Sequence, residues 1–248
     1  MATNKKVLKP FFICRNSDAV DFLRLLPDQS VDLVVTDPPY ESLEKHRKIG
    51  TTTRLKNSKA SSNAWFEIFH NSRFLELFTE VHRVLKPNRH FYMLCDQDTM
   101  FVARPLIEEA GFNYYKFLIW NKEKIGMGYN YRAMHELILF SKKGKRKLNS
   151  LSIPDVLSVP RVFRGYPTEK PVGLLEILVS QSTLPGEIVV DPFMGSGTSG
   201  VAAVKLGRHF IGNDKCKEAT QLSVRRIKEA GGRKKFKGWK KLLSGKSS

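Results

Sequence analysis

Short apolar runs separated by stretches of helical periodicity organise most of the chain. Runs with strand character fall at Phe11 to Cys14, Val31 to Thr36, His90 to Cys95, Tyr114 to Trp120, Glu136 to Phe140, Glu187 to Asp191 and Phe210 to Asn213. Between them, apolar spacing predicts helices over 18–26, 65–85, 97–110, 170–183, 198–206 and 215–230, several of them ending at Gly or Pro. Strands alternating with helices of this length predict an α/β fold, a mostly parallel sheet of seven strands covered on both faces. The stretch from Tyr114 to Phe140 departs from that rhythm. Its two β-like runs are joined only through the Gly126/Gly128 connection, which predicts an antiparallel pair at one edge of the sheet. At 248 residues, one domain is the simplest count.

The run Val31-Asp32-Leu33-Val34-Val35 leads straight into Thr36-Asp37-Pro38-Pro39-Tyr40. Each residue before a proline is pushed towards extended backbone, so this exit loop is stiff. The proline nitrogens carry no hydrogen, and the loop therefore presents acceptors, the Asp37 carboxylate and the Pro38 carbonyl, with few competing donors. Such a site suits a substrate that donates, such as an exocyclic amino group, and Tyr40 adds a flat face on which a planar ring could stack. The rival reading is a rigid strand-exit loop without chemistry.

A second motif lies about 150 residues later, where Ile188-Val189-Val190-Asp191-Pro192-Phe193-Met194-Gly195-Ser196-Gly197-Thr198-Ser199-Gly200 runs from strand through turn to helix. Gly195, Gly197 and Gly200 fit the nucleoside-binding glycine fingerprint, and Asp214 follows at the end of the next strand, where a ribose-binding acid belongs. No P-loop lysine follows Gly200, which argues against triphosphate hydrolysis. A nicotinamide enzyme normally opens with this fingerprint, whereas here it comes late.

Composition adds a polyanionic partner. The chain carries 42 Lys/Arg against 24 Asp/Glu, a net charge of +18. Residues 41–63 hold six Lys/Arg against two Glu, 142–150 five against none and 230–248 seven against none, so 16 of the 18 net charges sit in three segments. Cys14, Cys95 and Cys216 are odd in number with no paired spacing, which fits a reducing compartment. No apolar stretch reaches the length of a membrane span and no metal-ligand spacing is present, so we expect a soluble, cytoplasmic protein without a metal.

Taken together, Asp37-Pro38-Pro39-Tyr40 and the Asp191-Pro192-Phe193 loop with Gly195-Ser196-Gly197-Thr198 resemble the motifs of amino-group DNA methyltransferases dependent on S-adenosylmethionine, of the β-class. Tyr166-Pro167-Thr168-Glu169-Lys170-Pro171 looks like the His-Pro-Thr-Gln-Lys-Pro element of that family, with Tyr for His and Glu for Gln. The resemblance covers about residues 10–228. It implies a Rossmann-like methyltransferase fold with circularly permuted motif order: a methyltransferase domain over 1–229 and a basic tail over 230–248. Within the domain it implies a catalytic half (about 10–140), a short recognition segment (about 141–165) and a cofactor half (about 166–229).

The resemblance also assigns roles. Asp37, Pro38, Pro39 and Tyr40 are the catalytic residues, holding a target base that has rotated out of the duplex. S-adenosylmethionine would be bound by Asp18, Asp37, Lys170, Asp191, Phe193, Gly195, Ser196, Gly197, Thr198 and Asp214. Asp18 would accept from the adenine amino group of the cofactor, with an ordinary helix N-cap as the equal alternative. Asp214 would accept from the ribose hydroxyls, with a strand-end turn as its alternative. Trp120-Asn121-Lys122 and His135-Glu136 are read as structural. Double-stranded DNA would be held by Lys45, Arg47, Lys48, Arg54, Lys56 and Lys59 after the catalytic loop, by Lys142, Lys143, Lys145, Arg146 and Lys147, and by Arg161 and Arg164. The tail around Phe236 and Trp239 is read either as non-specific DNA binding or as a solubility tail.

Adenine N6 is the expected target because Asp heads the tetrapeptide. Cytosine N4 comes next, then RNA, then a non-catalytic DNA-binding protein of the same fold; a nicotinamide oxidoreductase and a protein-amide methyltransferase are the remaining rivals. A homodimer and a cognate restriction nuclease are candidate partners, in a bacterial or phage-infected cell.

Overall fold

The computed structural model describes residues 9–41, 67–126, 130–163, 166 and 168–235. β1 (Phe11–Arg15), α1 (Ala19–Arg24) and β2 (Val31–Thr36) come first. A 3-10 turn, Asn71–Arg73, leads into α2 (Phe74–Val84), β3 (Leu85–Cys95), α3 (Gln97–Glu109), β4 (Asn113–Asn121), β5 (His135–Lys143) and β6 (Val156–Ser158). The C-terminal part holds α4 (Val172–Ser182), β7 (Ile188–Asp191), α5 (Thr198–Lys205), β8 (His209–Asn213), α6 (Lys217–Glu229) and β9 (Arg233–Lys234).

The strands form one sheet in the order β6-β4-β5-β3-β2-β7-β8-β1-β9. The sheet therefore has nine strands rather than seven. The seven expected strands are its contiguous centre, and one short strand has been added at each edge. β6 pairs with β4 through Ile119, Trp120 and Asn121, and β9 pairs with β1 through Phe11 and Phe12. Neither carries a readable pattern: β6 is three residues with only Leu157 buried, and β9 is two basic residues in what reads as tail. The antiparallel pair β4·β5 forms as expected, yet it does not end the sheet, because β6 lies outside it. Only β5 runs against its neighbours; all other pairings among the described residues are parallel.

Period-two alternation sends successive strand residues to opposite faces. On one face Val34, Phe91, Met93, Leu139, Val190 and Ile211 join side chains of α1, α2 and α3 in a single buried cluster. On the other, Leu33, Val35, Tyr92, Leu94, Ile138, Val189 and Phe210 meet α4, α5 and α6. β2 is buried at all six positions, as a central parallel strand should be. Its one charge, Asp32, is satisfied by Lys86 Nζ at 2.8 Å, Arg89 Nε at 3.0 Å and the Ile188 amide at 3.0 Å.

The helix expected over 65–85 is shorter. Glu67 to His70 is not helical, because Phe69 N donates to Pro39 O at 2.7 Å and Tyr40 bridges Phe69 in extended form. Glu41 Oε1 then accepts from Asn71 N at 2.8 Å, so the chain returns to the Asp37–Tyr40 loop before the helix starts. No helix among the described residues is long and apolar enough to cross a membrane.

Candidate active site

All the parallel strands of the sheet point their carboxyl ends to one edge, and the loops leaving β1, β2, β7 and β8 meet there. Backbone and amide hydrogen bonds join these loops. Asn213 Nδ2 donates to Ser17 O and Pro192 O, and its Oδ1 accepts from Ser17 Oγ. Thr36 Oγ1 donates to Asp191 Oδ1 at 2.9 Å, linking the end of β2 to the glycine turn. A cavity of about 470 Å³ opens between them, with Asp37, Pro38, Pro39 and Tyr40 on one side and Asp191, Phe193, Gly195, Ser196, Thr198 and Asp214 on the other. The two motifs, remote in sequence, thus share one cavity at the edge where open α/β sheets bind ligands.

The glycine turn is shaped by close approach. Gly197 has φ +80 and caps α5, and a Cβ there would lie 2.8 Å from Ser223 Cβ. At Gly200 a Cβ would lie 2.4 Å from Ile227 Cδ1, so only glycine lets α5 sit this close to α6 and the sheet. Around the turn, Asp214 Oδ2 accepts from Gly195 N at 2.9 Å and Oδ1 from Cys216 N at 2.8 Å. Burial raises the Asp214 carboxyl against these two donors. Asp191 accepts from Ser199 Oγ at 2.6 Å and Phe193 N at 3.0 Å as well as from Thr36. Among the described residues no cation pairs with it, and burial pushes its carboxyl up to about 7. Ser196 and Thr198 pair their hydroxyls at 3.2 Å.

Asp18 caps α1, accepting from Val20 N and Asp21 N, and Arg73 holds both its oxygens at 2.8 and 2.9 Å. The Arg73 hydrogen bond draws its carboxyl down to about 2. Asp18 also lines the cavity, so the N-cap geometry and the cavity position coexist. Arg73 lies over the Phe69 ring at 5.0 Å, and Phe69 meets Phe193 edge to face at 5.1 Å. These residues of the segment 67–73 belong to the cavity wall and carry no motif that would announce them.

Asp37 departs from simple expectation. Its Oδ2 is held by the Lys170 ammonium, while Oδ1 is buried without a hydrogen-bond partner. Lys170, expected on the cofactor side, thus has its ammonium on the Asp37 carboxylate. Glu136 and Lys122, read as structural, stand in the same wall: Lys122 Nζ is 2.7 Å from Glu136 Oε1 and Lys170 Nζ 3.5 Å from Glu136 Oε2. His135, by contrast, is exposed. Burial raises the Asp37 carboxyl, Lys170 pulls it down and Glu136 pushes it up, with a net rise. Burial works to lower Lys170, but Asp37 and Glu136 together hold it above its ordinary value. Tyr40 is buried in the α1/α2 core and reaches the cavity as part of its wall, and burial keeps its phenol neutral. Glu169 accepts from Arg226 Nη2 at 2.5 Å, and Arg226 Nη1 reaches Ser196 O at 3.1 Å, so the Glu that replaces Gln steadies the glycine turn through α6.

The basic segments separate. Lys45, Arg47, Lys48, Arg54, Lys56, Lys59, Arg164 and the chain after Lys235, with Phe236 and Trp239, lie outside the described residues. Arg161 stands at the cavity mouth, its guanidinium 4.5 Å from the exposed Phe163 ring, with Lys124 at 4.6 Å from the same ring. Trp120 Nε1 fixes this segment by donating to Val159 O at 2.7 Å. Lys142, Lys143, Lys145, Arg146 and Lys147 lie elsewhere. β5 runs backwards, from Leu137 level with Cys95 to Lys143 level with Arg89, so this patch is about 20 Å away at the opposite edge of the sheet. There Lys143 Nζ donates to His82 O and Leu85 O, Lys142 lies over Tyr115 at 3.9 Å, and Arg146 O accepts from His90. Among the described residues no cluster of His, Cys, Asp and Glu could hold a metal.

Known proteins are similar to this chain in sequence and fold. The chain is 28% identical over 254 residues to the DNA adenine methyltransferase YhdJ of Escherichia coli (strain K12), covering 86% of this chain and 81% of that one. It is 28% identical over 250 residues to the type II methyltransferase M2.DpnII of Streptococcus pneumoniae, covering 88% and 92%. Among solved structures, the M1.HpyAVI–SAM complex superposes with a TM-score of 0.65 at 26% identity, over 87% of this chain and 100% of that one. A family model described as DNA methylase, of the N6/N4 methyltransferases, matches residues 31–225, from β2 to α6, and with most of the chain so matched this protein belongs to that DNA methylase family.

Proposed function

We propose that this protein methylates the N6 amino group of adenine in double-stranded DNA, using S-adenosylmethionine as the methyl donor. The observation that carries the reading is the buried, unpartnered Asp37 Oδ1 in a cavity shared with the glycine turn. Adenine is supported by YhdJ, a DNA adenine methyltransferase, and by Asp at the head of the tetrapeptide. The donor is supported by the M1.HpyAVI–SAM complex.

The residues present fit the donor: Gly197 and Gly200 leave no room for side chains, and Asp214 retains lone pairs beyond its two amide contacts. Gly195, Ser196, Gly197, Thr198, Phe193, Asp191, Asp18 and Asp214 would hold it, and when bound it supplies an electrophilic methyl on a sulfonium. The protein's own residues then act on the base. The exocyclic nitrogen is a poor nucleophile because its lone pair is delocalised into the ring. Asp37 Oδ1 and the Pro38 carbonyl accept its two hydrogens, favour a pyramidal nitrogen and stabilise the positive charge that grows there. After it carries the methyl the nitrogen gives up one proton, to Asp37 or to water. A paired base cannot reach this cavity, so it must leave the stack, with Tyr40 forming the wall it meets.

Arg161, Lys124 and the exposed Phe163 at the mouth are the described residues that suit a phosphate backbone. The bacterial relatives support a location in the cytoplasm of a bacterial or phage-infected cell. A type II relative makes a companion nuclease an assembly to test, and a homodimer is the other. The decisive experiment incubates the protein with methyl-labelled donor and unmethylated DNA and digests to nucleosides. Label in N6-methyladenine is expected; label in N4-methylcytosine overturns the base, and no label in any nucleic acid overturns the function.

A further inference from the structure

The cavity wall holds more charge than the acceptor role of Asp37 requires. Asp37, Lys170, Glu136 and Lys122 form an alternating row of two carboxylates and two ammoniums, brought together from the exit of β2, the loop before α4, the start of β5 and the end of β4. Lys170 is the shared member, on Asp37 Oδ2 and 3.5 Å from Glu136 Oε2. Both carboxylates keep one buried oxygen with no hydrogen bond, Asp37 Oδ1 and Glu136 Oε2. Burying four charges is expensive, and an apolar wall of equal volume would serve stability as well. What such a row does provide is control, since in a poorly solvated site each charge sets the ionisation of its neighbour.

We propose that Lys170 and Glu136 are positioning residues for methyl transfer: Lys170 holds Asp37 ionised with Oδ1 turned into the cavity, and Glu136, by sharing the ammonium, limits that hold. The inference rests on the amino-methyltransferase reading above. Protonation of Asp37 would remove the negative charge that stabilises the growing positive nitrogen and would place an O–H donor beside it, so transfer should fail as pH falls through the Asp37 pKa. The two neighbours act on that pKa with opposite sign, Lys170 lowering it and Glu136 raising it. The other groups facing Asp37 are Lys122, Tyr40, Cys95 at the end of β3 with Asp96 beyond it, and Asp191 on β7. Burial keeps Tyr40 and Cys95 neutral, and Asp191 is the same in every variant compared.

The test is the pH dependence of single-turnover methylation of unmethylated DNA, with donor affinity by calorimetry and melting temperature measured alongside. Lys170→Met should move the acid limb up by ~1–3 pH units, Glu136→Gln should move it down, and Lys170→Arg should leave it near wild type, each with donor affinity within about threefold. Limbs that coincide, or that move in the same direction, overturn the proposal. So does a Lys170→Met protein that loses donor binding with its limb unmoved, which would make Lys170 a cofactor ligand. If Lys170→Met does not fold, the Glu136→Gln and Lys170→Arg pair decides by the same criterion. A wild-type chain that transfers no methyl defeats the parent reading and this one with it; a wild type that transfers while the limbs stay together defeats this inference alone.

Discussion

Strand β2 carries a carboxylate near each end, and the two could hardly be treated more differently. Asp32, at its start, is 2% exposed, and both oxygens are fully engaged by Lys86, Arg89 and the Ile188 amide, with Arg89 passing on to Glu187 at 2.9 Å. Asp37, just past its end, has one oxygen on Lys170 and the other unpartnered. The first is a closed network that ties β2, β3 and β7 together. The second keeps acceptor capacity in reserve inside a cavity, at a cost that only function explains.

That contrast can be broken by substitution. Asp32→Ala leaves the half-buried Arg89 with Glu187 alone and the Ile188 amide without its partner, and should cost roughly 1–3 kcal/mol of unfolding free energy in urea titrations while sparing transfer per folded molecule. Asp37→Ala should do the reverse. Methyl transfer should fall about 10²- to 10³-fold, ~2.7–4 kcal/mol of transition-state stabilisation, with the melting temperature and DNA affinity near wild type. An Asp37→Ala protein that still transfers would remove the distinction altogether.

Asp191 sharpens the comparison, being buried like Asp32 but lacking a cation. Its carboxyl is pushed up to about 7 from an ordinary 3.8. The native state therefore binds more protons than the unfolded state between about pH 4 and about 7, and stability should decline as pH rises through that window. Roughly 2–4 kcal/mol is at stake, and Asp191→Asn should flatten the decline when melting curves are compared across the same range. The smallest effects concern DNA. Arg161→Ala should reduce the salt dependence of binding by about one counterion, whereas Lys145→Ala and Lys147→Ala, at the far edge, should leave it unchanged. Equal effects at the two edges would return the 142–147 patch to the DNA interface.

Much of this was legible from residues alone, for definable reasons. The seven central strands and their helices show themselves because a two-faced core demands period-two and helical spacing over many residues. β6 and β9 do not, since three residues with one buried side chain, or two basic residues, cannot carry a period. The start of α2 was misplaced because Phe69 is held extended by Pro39, a contact made 30 residues away along the chain. The charge row escaped notice for the same reason on a larger scale: Lys170 and Asp37 are 133 residues apart, and Glu136 sits in a segment without a chemical motif.

The sequence by itself determined that an acceptor loop and a nucleoside-type glycine turn are both present, because proline and glycine restrict backbone locally and carry that information with them. It determined the alternation that builds a mostly parallel sheet. Only the tertiary structure decided which charges meet. The basic segment 142–147 ends at the edge away from the cavity because of the direction of β5, and a lysine read as a cofactor ligand comes to rest between two carboxylates. Direction and adjacency are properties of the assembled sheet, and no local preference encodes them.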